Sequence, residues 1–256
     1  QDTWTSTGNQ LVLTATAGVT YDGKTYGSGT RARLIPGGPS SAPAVYGIVM
    51  IPVSNVIFRG FEINGNNVYT GGLYIGNTAG ADISNIEIDD CVVHNVGDPN
   101  KFSWGYSILV SVDTAEKTVS NVTIKNTEVY ESPANEGISV YAKWGVYNSR
   151  NNNILIRNCY IHDMGTDGIE VSNHSDNVTI EYCTLANNGT HGIMTRVSPS
   201  GEGPGNVIEA PNNLIIRYNI INDNLENGIA FTNPRDFVQT ADIYGNLIYN
   251  NGTNGG

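Results

Sequence analysis

Glu136, Asp167, His191 and Asn227 each stand directly before a Gly-Ile pair, and Tyr106 holds the matching place one phrase earlier. Only 14% of the 256 residues are charged, so acids that return at one offset are candidates for chemistry. Two carboxyl groups held close repel, which drives one toward its protonated form. A protonated acid beside an ionised one is the equipment of glycoside hydrolysis. The same places also suit side chains that cap turn amides. Acids around Asp163 and Asp167 suit calcium as well, although no stretch spells a dedicated calcium loop.

A second set follows each pair. Counting on from the Gly-Ile phrases gives one outward column of Leu109, Ser139, Glu170, Met194 and Ala230. The next holds Ser111, Tyr141, Ser172, Arg196 and Thr232, and beyond it come Lys143 and His174. Glu170, Arg196, Tyr141, Lys143 and His174 supply an acid, a fixed cation and groups able to give or take a proton. Trp144 and Tyr147 adjoin them, and Trp104 precedes them by one phrase; such rings stack on sugar faces. With Ser172 they complete the inventory of a polysaccharide groove. Ordinary surface chemistry accounts for the members singly: Glu170 pairs with Arg196 or faces water, Lys143 and Arg196 pair with loop acids, and His174 lies in a polar turn. The case for a site is that they converge.

Convergence requires a repeat, and the chain has one. NVIFRGFEI begins at Asn55, NIEIDDCVV at Asn85, NVTIKNTEV at Asn121, NILIRNCYI at Asn153, NVTIEYCTL at Asn177 and NLIIRYNII at Asn213. A degraded copy, DIYGNLIYN, begins at Asp242. Short alternating apolar runs returning every 24 to 36 residues or so mean a stacked solenoid. Val122 and Ile124 face one way, Thr123 and Lys125 the other. Stacking the copies gives an outward ladder of Arg59, Asp89, Lys125, Arg157, Glu181 and Arg217, with like charges adjacent only at Lys125 and Arg157. It also gives an interior column containing Cys91, Thr127, Cys159, Cys183 and Asn219. Thiols there read as small buried side chains, without disulfide or zinc spacing. Inward residues of the Gly-Ile strands, from Leu73/Ile75 to Ile229/Phe231, continue the core. Val171 reaches Asn177 through five residues, while residues 141–152 and 196–211 form long loops. A short-looped coil between long-looped coils makes a notch over Glu170 and Ser172.

Composition limits the alternatives. A net charge of −11 argues against a nucleic-acid partner, which needs a basic stripe. No apolar run approaches a membrane span. Few lysines with many Asn, Thr, Gly and Tyr suit a secreted or cell-surface protein. Residues 1–50 read as N-terminal strands that begin or cap the solenoid. Residues 51–256 read as its coils, ending in mid-coil as though the C-terminal portion were truncated.

The pattern N-x-x-I-x-x-N/C, followed by N-x-G-x-x-G-I, spans about residues 55–251. It resembles the right-handed parallel β-helix superfamily, which includes pectate lyases, polygalacturonases, alginate lyases and epimerases, and phage tailspikes. The resemblance implies an all-β, single-stranded right-handed parallel β-helix of about seven coils. It implies a carbohydrate-active protein, with β-elimination on an acidic polysaccharide as the leading expectation. In that chemistry Arg196 neutralises the uronate carboxyl, Lys143 takes the C5 proton, and Tyr141 or His174 serves the leaving oxygen. A non-catalytic glycan-binding or cell-surface module, a purely structural module, and a hydrolase using Glu136 and Asp167 are the alternatives. No cofactor is called for beyond calcium as a candidate ion.

Overall fold

The computed structural model describes residues 4–7, 10–24, 31–35, 47–67, 71–77, 80–98, 105–133, 136–143, 146, 148–197, 209–232 and 239–252. Every named element is a strand, and no helix among the described residues is long and apolar enough to cross a membrane. Three sheets run along the molecule, and each coil contributes one strand to each. The Gly-Ile sheet includes Gly71–Gly76, Tyr106–Val112, Glu136–Ala142, Ile169–Ser172, Ile193–Arg196 and Ile229–Thr232. The Asn-turn sheet includes Val56–Arg59, Ile83–Asp89, Thr118–Lys125, Arg150–Arg157, Ser175–Glu181, Leu214–Arg217 and Ala241–Tyr244. A third sheet of short strands closes the coil. Pairing is parallel throughout, apart from the hairpin of Trp4–Thr7 with Gln10–Thr14. Before residue 50 the coil is already established: Thr20–Asp22 pairs with Val56–Arg59, and Ala32–Leu34 with Phe61–Asn64.

Alternation fills the interior. Val122, Ile124, Ile154, Ile156, Val178 and Ile180 of the Asn-turn sheet face Ile138, Val140, Ile169 and Val171 of the Gly-Ile sheet in one continuous core. The predicted charged ladder stands in register from Arg59 to Arg217. Lys125 turns away from Arg157 to Glu87 at 3.0 Å, and Arg157 turns to Glu181 at 2.9 Å, which relieves the like-charge step. The thiols are free and buried. They also act as weak donors to the turns: Cys91 Sγ reaches Asp89 O at 3.4 Å and Cys159 Sγ reaches Arg157 O at 3.3 Å. Thr127 Oγ1 does the same to Lys125 O at 2.8 Å, which explains why Thr and Cys interchange in this column. Burial pushes the Cys91 thiol up to about 12.

Two backbone devices set the corners. Asn55, Asn85, Asn121, Asn153, Asn177 and Asn213 all adopt left-handed φ, between 52° and 60°. Asn tolerates this region better than other L-residues. Their carboxamides form rungs between coils: Asn85 to Asn55 at 3.0 Å, Asn121 to Asn85 at 3.2 Å and Asn153 to Asn121 at 2.7 Å. At the other corner, a Cβ on Gly137 would strike Gly168 O and lie 2.6 Å from the interior Ile161 Cγ2. Gly137 and the buried Ile138 therefore both face inward. Gly192 repeats this against Ile221 Cγ2 at 2.5 Å. Two successive inward residues send the residue before the glycine outward, onto the face used by the residue three places later.

The Asn column separates backbone from side-chain contributions. Replacing Asn121 by Ala should cost about 1–3 kcal/mol in urea unfolding, since it strains a left-handed residue and removes two rungs. Asn121→Gly should cost less, because glycine adopts φ > 0 freely. Equal losses would assign the column to the amide ladder alone.

Candidate active site

The break in alternation joins what looked like two clusters. Strands Glu136–Ala142, Ile169–Ser172 and Ile193–Arg196 lie side by side, with Ser139 opposite Glu170, Glu170 opposite Met194, and Ser172 opposite Arg196. Gly137 N donates to Asp167 O at 3.0 Å, which sets Glu136 beside Asp167 one coil away. Because Glu136 and Asp167 turn outward ahead of their glycines, they reach the face that carries Glu170. One carboxylate oxygen from each of Glu136, Asp167 and Glu170 lies within 4.8 Å of the others, and all three residues are buried. Arg196 reaches back one coil and grips Glu170 by Nε–Oε1 at 3.0 Å, Nη2–Oε1 at 2.8 Å and Nη2–Oε2 at 2.7 Å. The same Nη2 stands 3.7 Å from Glu136 Oε1. Its side chain is 33% exposed, against 9% for Glu136 and 5% for Glu170, so the arginine is the cluster's face to solvent.

The remaining partners are short polar side chains and backbone. Ser139 Oγ donates to Glu136 Oε2. Thr190 Oγ1 and His191 N, the latter at 3.1 Å, donate to Asp167 Oδ1. Burial, then the charge of Glu170 and a hydrogen bond shared with it, holds the Glu136 carboxyl well above the usual carboxylate range. Burial also raises Asp167, against the opposing pull of Thr190 and His191. Arg196 stays charged: burial works against it, but Glu170, Glu136 and Asp167 outweigh that. Tyr106, in the Glu136 column, stacks on Tyr141 with centroids 5.6 Å apart. Burial, then Tyr141, Glu136 and Glu170, raises its phenol, so Tyr106 remains an O–H donor.

Of the residues singled out in sequence, the structure brings together Glu136, Asp167, Glu170, Arg196, Tyr141 and the buried Ser172. It does not bring in His174. That residue takes a left-handed φ of 54°, which redirects its side chain. Its imidazole is buried, its basicity lowered by burial, and the charges acting on it are Glu209, Arg150 and Asp176. Arg150 in turn binds Asp176 at 2.9 Å and pairs with Glu209. Lys143 is exposed at the end of its strand, with its backbone N on Val112 O at 3.0 Å. No contact joins its ammonium to the acids among the described residues. Trp104, Trp144 and Tyr147 lie outside the described residues. Asp163 and Asp167 are engaged apart: Asp163 is bound to His162 Nδ1 at 2.6 Å, whereas Asp167 belongs to the three-acid cluster. Those three acids have the donors for a divalent ion, but a guanidinium already stands against two of them. Tyr106 and Ser139 were visible in the columns, yet only the Gly-Ile corner shows that they join the acids.

Comparison with known proteins agrees with this architecture. A capsule K1-specific depolymerase of Klebsiella phage K64-1 is 24% identical over 126 residues, which is 49% of this chain and 13% of that protein. A variant of the periplasmic alginate epimerase AlgG superposes with a TM-score of 0.55 at 15% identity, covering 78% of this chain and 41% of the epimerase. An alginate lyase from Paenibacillus sp. str. FPU-7 gives a TM-score of 0.52 at 16% identity, covering 94% of this chain and 88% of the lyase. The chain thus spans a small part of the depolymerase and less than half of the epimerase, and at these identities the two structures share its fold. The model of the right-handed β-helix region matches residues 41–256, the span in which coil after coil repeats the Asn turn and the Gly-Ile corner, and the chain belongs to that family.

Proposed function

We propose that this chain cleaves a polysaccharide by glycoside hydrolysis, with Glu136 as the acid and Glu170 as the nucleophilic carboxylate. The carrying observation is the buried three-acid cluster in which Arg196 is committed to one member. Burial keeps Glu136 protonated, ready to give its proton to the leaving oxygen. Arg196 holds Glu170 as the ion-paired carboxylate facing the anomeric carbon. Asp167, fixed by Thr190 and His191, keeps the field negative where an oxocarbenium-like centre develops. Glu136 and Glu170 share a hydrogen bond, so they stand closer than the roughly 6.5–9.5 Å of inverting enzymes, and a sugar that enters between them must replace that bond. Depolymerase and lyase names among the relatives support a polysaccharide as substrate class, and a substrate of that class supports a secreted or cell-surface protein.

Elimination is less well supported. It asks for a free cation to neutralise a uronate and for a base on C5, but Arg196 is ion-paired with Glu170 and no contact joins the exposed Lys143 to the acids among the described residues. With Glu136 protonated and Arg196 paired to Glu170, the cluster has no spare cation for a uronate and suits a neutral sugar at the scissile bond.

Hydrolysis and elimination leave different products. On a polymer it depolymerises, the protein should yield reducing ends without the ultraviolet absorbance of an unsaturated sugar. The first-formed anomer should keep the substrate configuration by NMR. Glu136→Gln and Glu170→Gln should each lower kcat by about 10²–10⁴-fold, and Lys143→Ala should leave it unchanged. Unsaturated products, or a Lys143→Ala variant as damaged as Glu136→Gln, would move the reading to elimination.

The protonated state of Glu136 is testable without a substrate. A carboxyl raised by folding stabilises most below its unfolded pKa and loses that contribution as pH rises through the folded value. Glu136→Gln should therefore raise unfolding free energy by about 1–3 kcal/mol at pH 8, and the gain should vanish near pH 4. A gain that grows on acidification would show that Glu136 is held as a carboxylate.

A further inference from the structure

A groove of about 560 Å³ opens on a different face of the coil, along the Asn turns that lead into the strands Arg150–Arg157, Ser175–Glu181 and Leu214–Arg217. That is the size of a small-molecule site. Asn153, Asn177 and Asn213 line it together with Thr179 and Ile215, which point outward between them on the Asn-turn sheet, and Asp242 is the one charged residue of the lining. None of these residues belongs to the carboxylate cluster, which lies on the Gly-Ile sheet.

The carboxamides here are only partly used. Each offers two N–H donors and two lone pairs, and a rung between coils takes one of each. Along the first coils the rungs follow one column. At the groove the column breaks: Asn177 Nδ2 donates to Asn152 Oδ1 at 2.7 Å, bypassing Asn153, before Asn213 resumes it on Asn177 Oδ1 at 3.2 Å. Among the described residues Asn153 Oδ1 therefore receives no rung from the next coil, and Asn153, Asn177 and Asn213 all line the groove with carboxamide capacity to spare.

The charge beside the groove is spent internally. Arg157 and Arg217 both bind the buried Glu181, at 2.9 Å and 2.6 Å, and the one charge on the lining, Asp242, is negative. A ligand meets amides, hydroxyls and aliphatic side chains beside one carboxylate, which disfavours an anionic sugar. Coils stack about 4.8 Å apart, so an extended glycan lying along the solenoid axis meets one carboxamide per coil, roughly one per sugar.

We propose that this groove binds a neutral, hydroxyl-rich glycan segment, at a site separate from the carboxylate cluster. It does not depend on whether those acids cleave. The test uses the whole chain carrying Glu136→Gln, so that nothing is turned over, on an array of neutral and uronate-containing oligosaccharides. Neutral oligosaccharides should bind. Adding Thr179→Trp, which fills the groove, should weaken that binding at least tenfold while the circular dichroism and urea midpoint stay unchanged. If that variant misfolds, Thr179→Arg takes its place. The side-chain amide signals of Asn153, Asn177 and Asn213 should shift with the bound oligosaccharide in NMR. The proposal is overturned if no neutral oligosaccharide binds, if uronates are preferred, or if binding survives both Thr179 variants. It is also overturned if binding falls instead on Glu170→Gln, which would return the glycan to the acids.

Discussion

Each backbone N–H of a coil must find the carbonyl of the coil beside it, and this constraint dictates everything else in the molecule. Parallel pairing in strict register places residues some 24 to 36 positions apart within about 4.8 Å of one another. Side chains then have no freedom to avoid their counterparts. Each column must consist of groups that tolerate contact with their own kind or with a complement. Amides satisfy this by donating to one neighbour and accepting from the other, which is why Asn recurs at the left-handed turn. Thiols, Thr and Asn satisfy it at the interior corner by donating to a turn carbonyl. Aromatic rings satisfy it by stacking, as His94, Tyr130 and His162 do with centroids 4.8 and 5.3 Å apart.

Set against that rule, the three acids are an exception. The charged ladder on the Asn-turn sheet shows how the fold treats carboxylates elsewhere: Glu181 is buried, but an arginine from the coil on either side grips it. Glu136, Asp167 and Glu170 share one arginine, and all three are withdrawn from water. Burying a charge without a partner costs several kcal/mol, and a carboxyl group escapes that cost by keeping its proton. Burial and the neighbouring Glu170 accordingly raise the Glu136 carboxyl well above the usual range. A second arginine at Met194 or Ser139 would remove the strain and, with it, the acid. The low count of basic groups here is thus as much a part of the chemistry as the acids.

The architecture was legible because its signals are periodic. Alternation of apolar residues, Asn at each strand entry and Gly-Ile at each return identify the coil and its register, and the columns read from sequence stand in that register. The site was legible only in part, and for a local reason. Strict alternation puts Glu136 and Glu170 on opposite faces of the sheet, so they read as separate clusters. The two successive inward residues at Gly137 and Ile138 shift the count by one and merge them. The same kind of error, with opposite outcome, affected His174. A left-handed residue in a five-residue turn redirects its side chain to Arg150 and Glu209, and nothing in SNHSD announces that. Backbone irregularities decide which residues meet, and single-sequence periodicity does not register them.

Arg196 links the geometry to the chemistry. It lies two residues beyond the Met194 position that stands opposite Glu170, so its long side chain must fold back along the strand to reach the acids. That reach places the guanidinium at the solvent side, 2.7 Å from Glu170 and 3.7 Å from Glu136. The inequality matters more than either distance. In the proposed hydrolysis, one cation placed off-centre is what would set the acid, Glu136, apart from the carboxylate, Glu170. For that proposed chemistry, the asymmetric placement of the guanidinium matters more than the number of carboxylates.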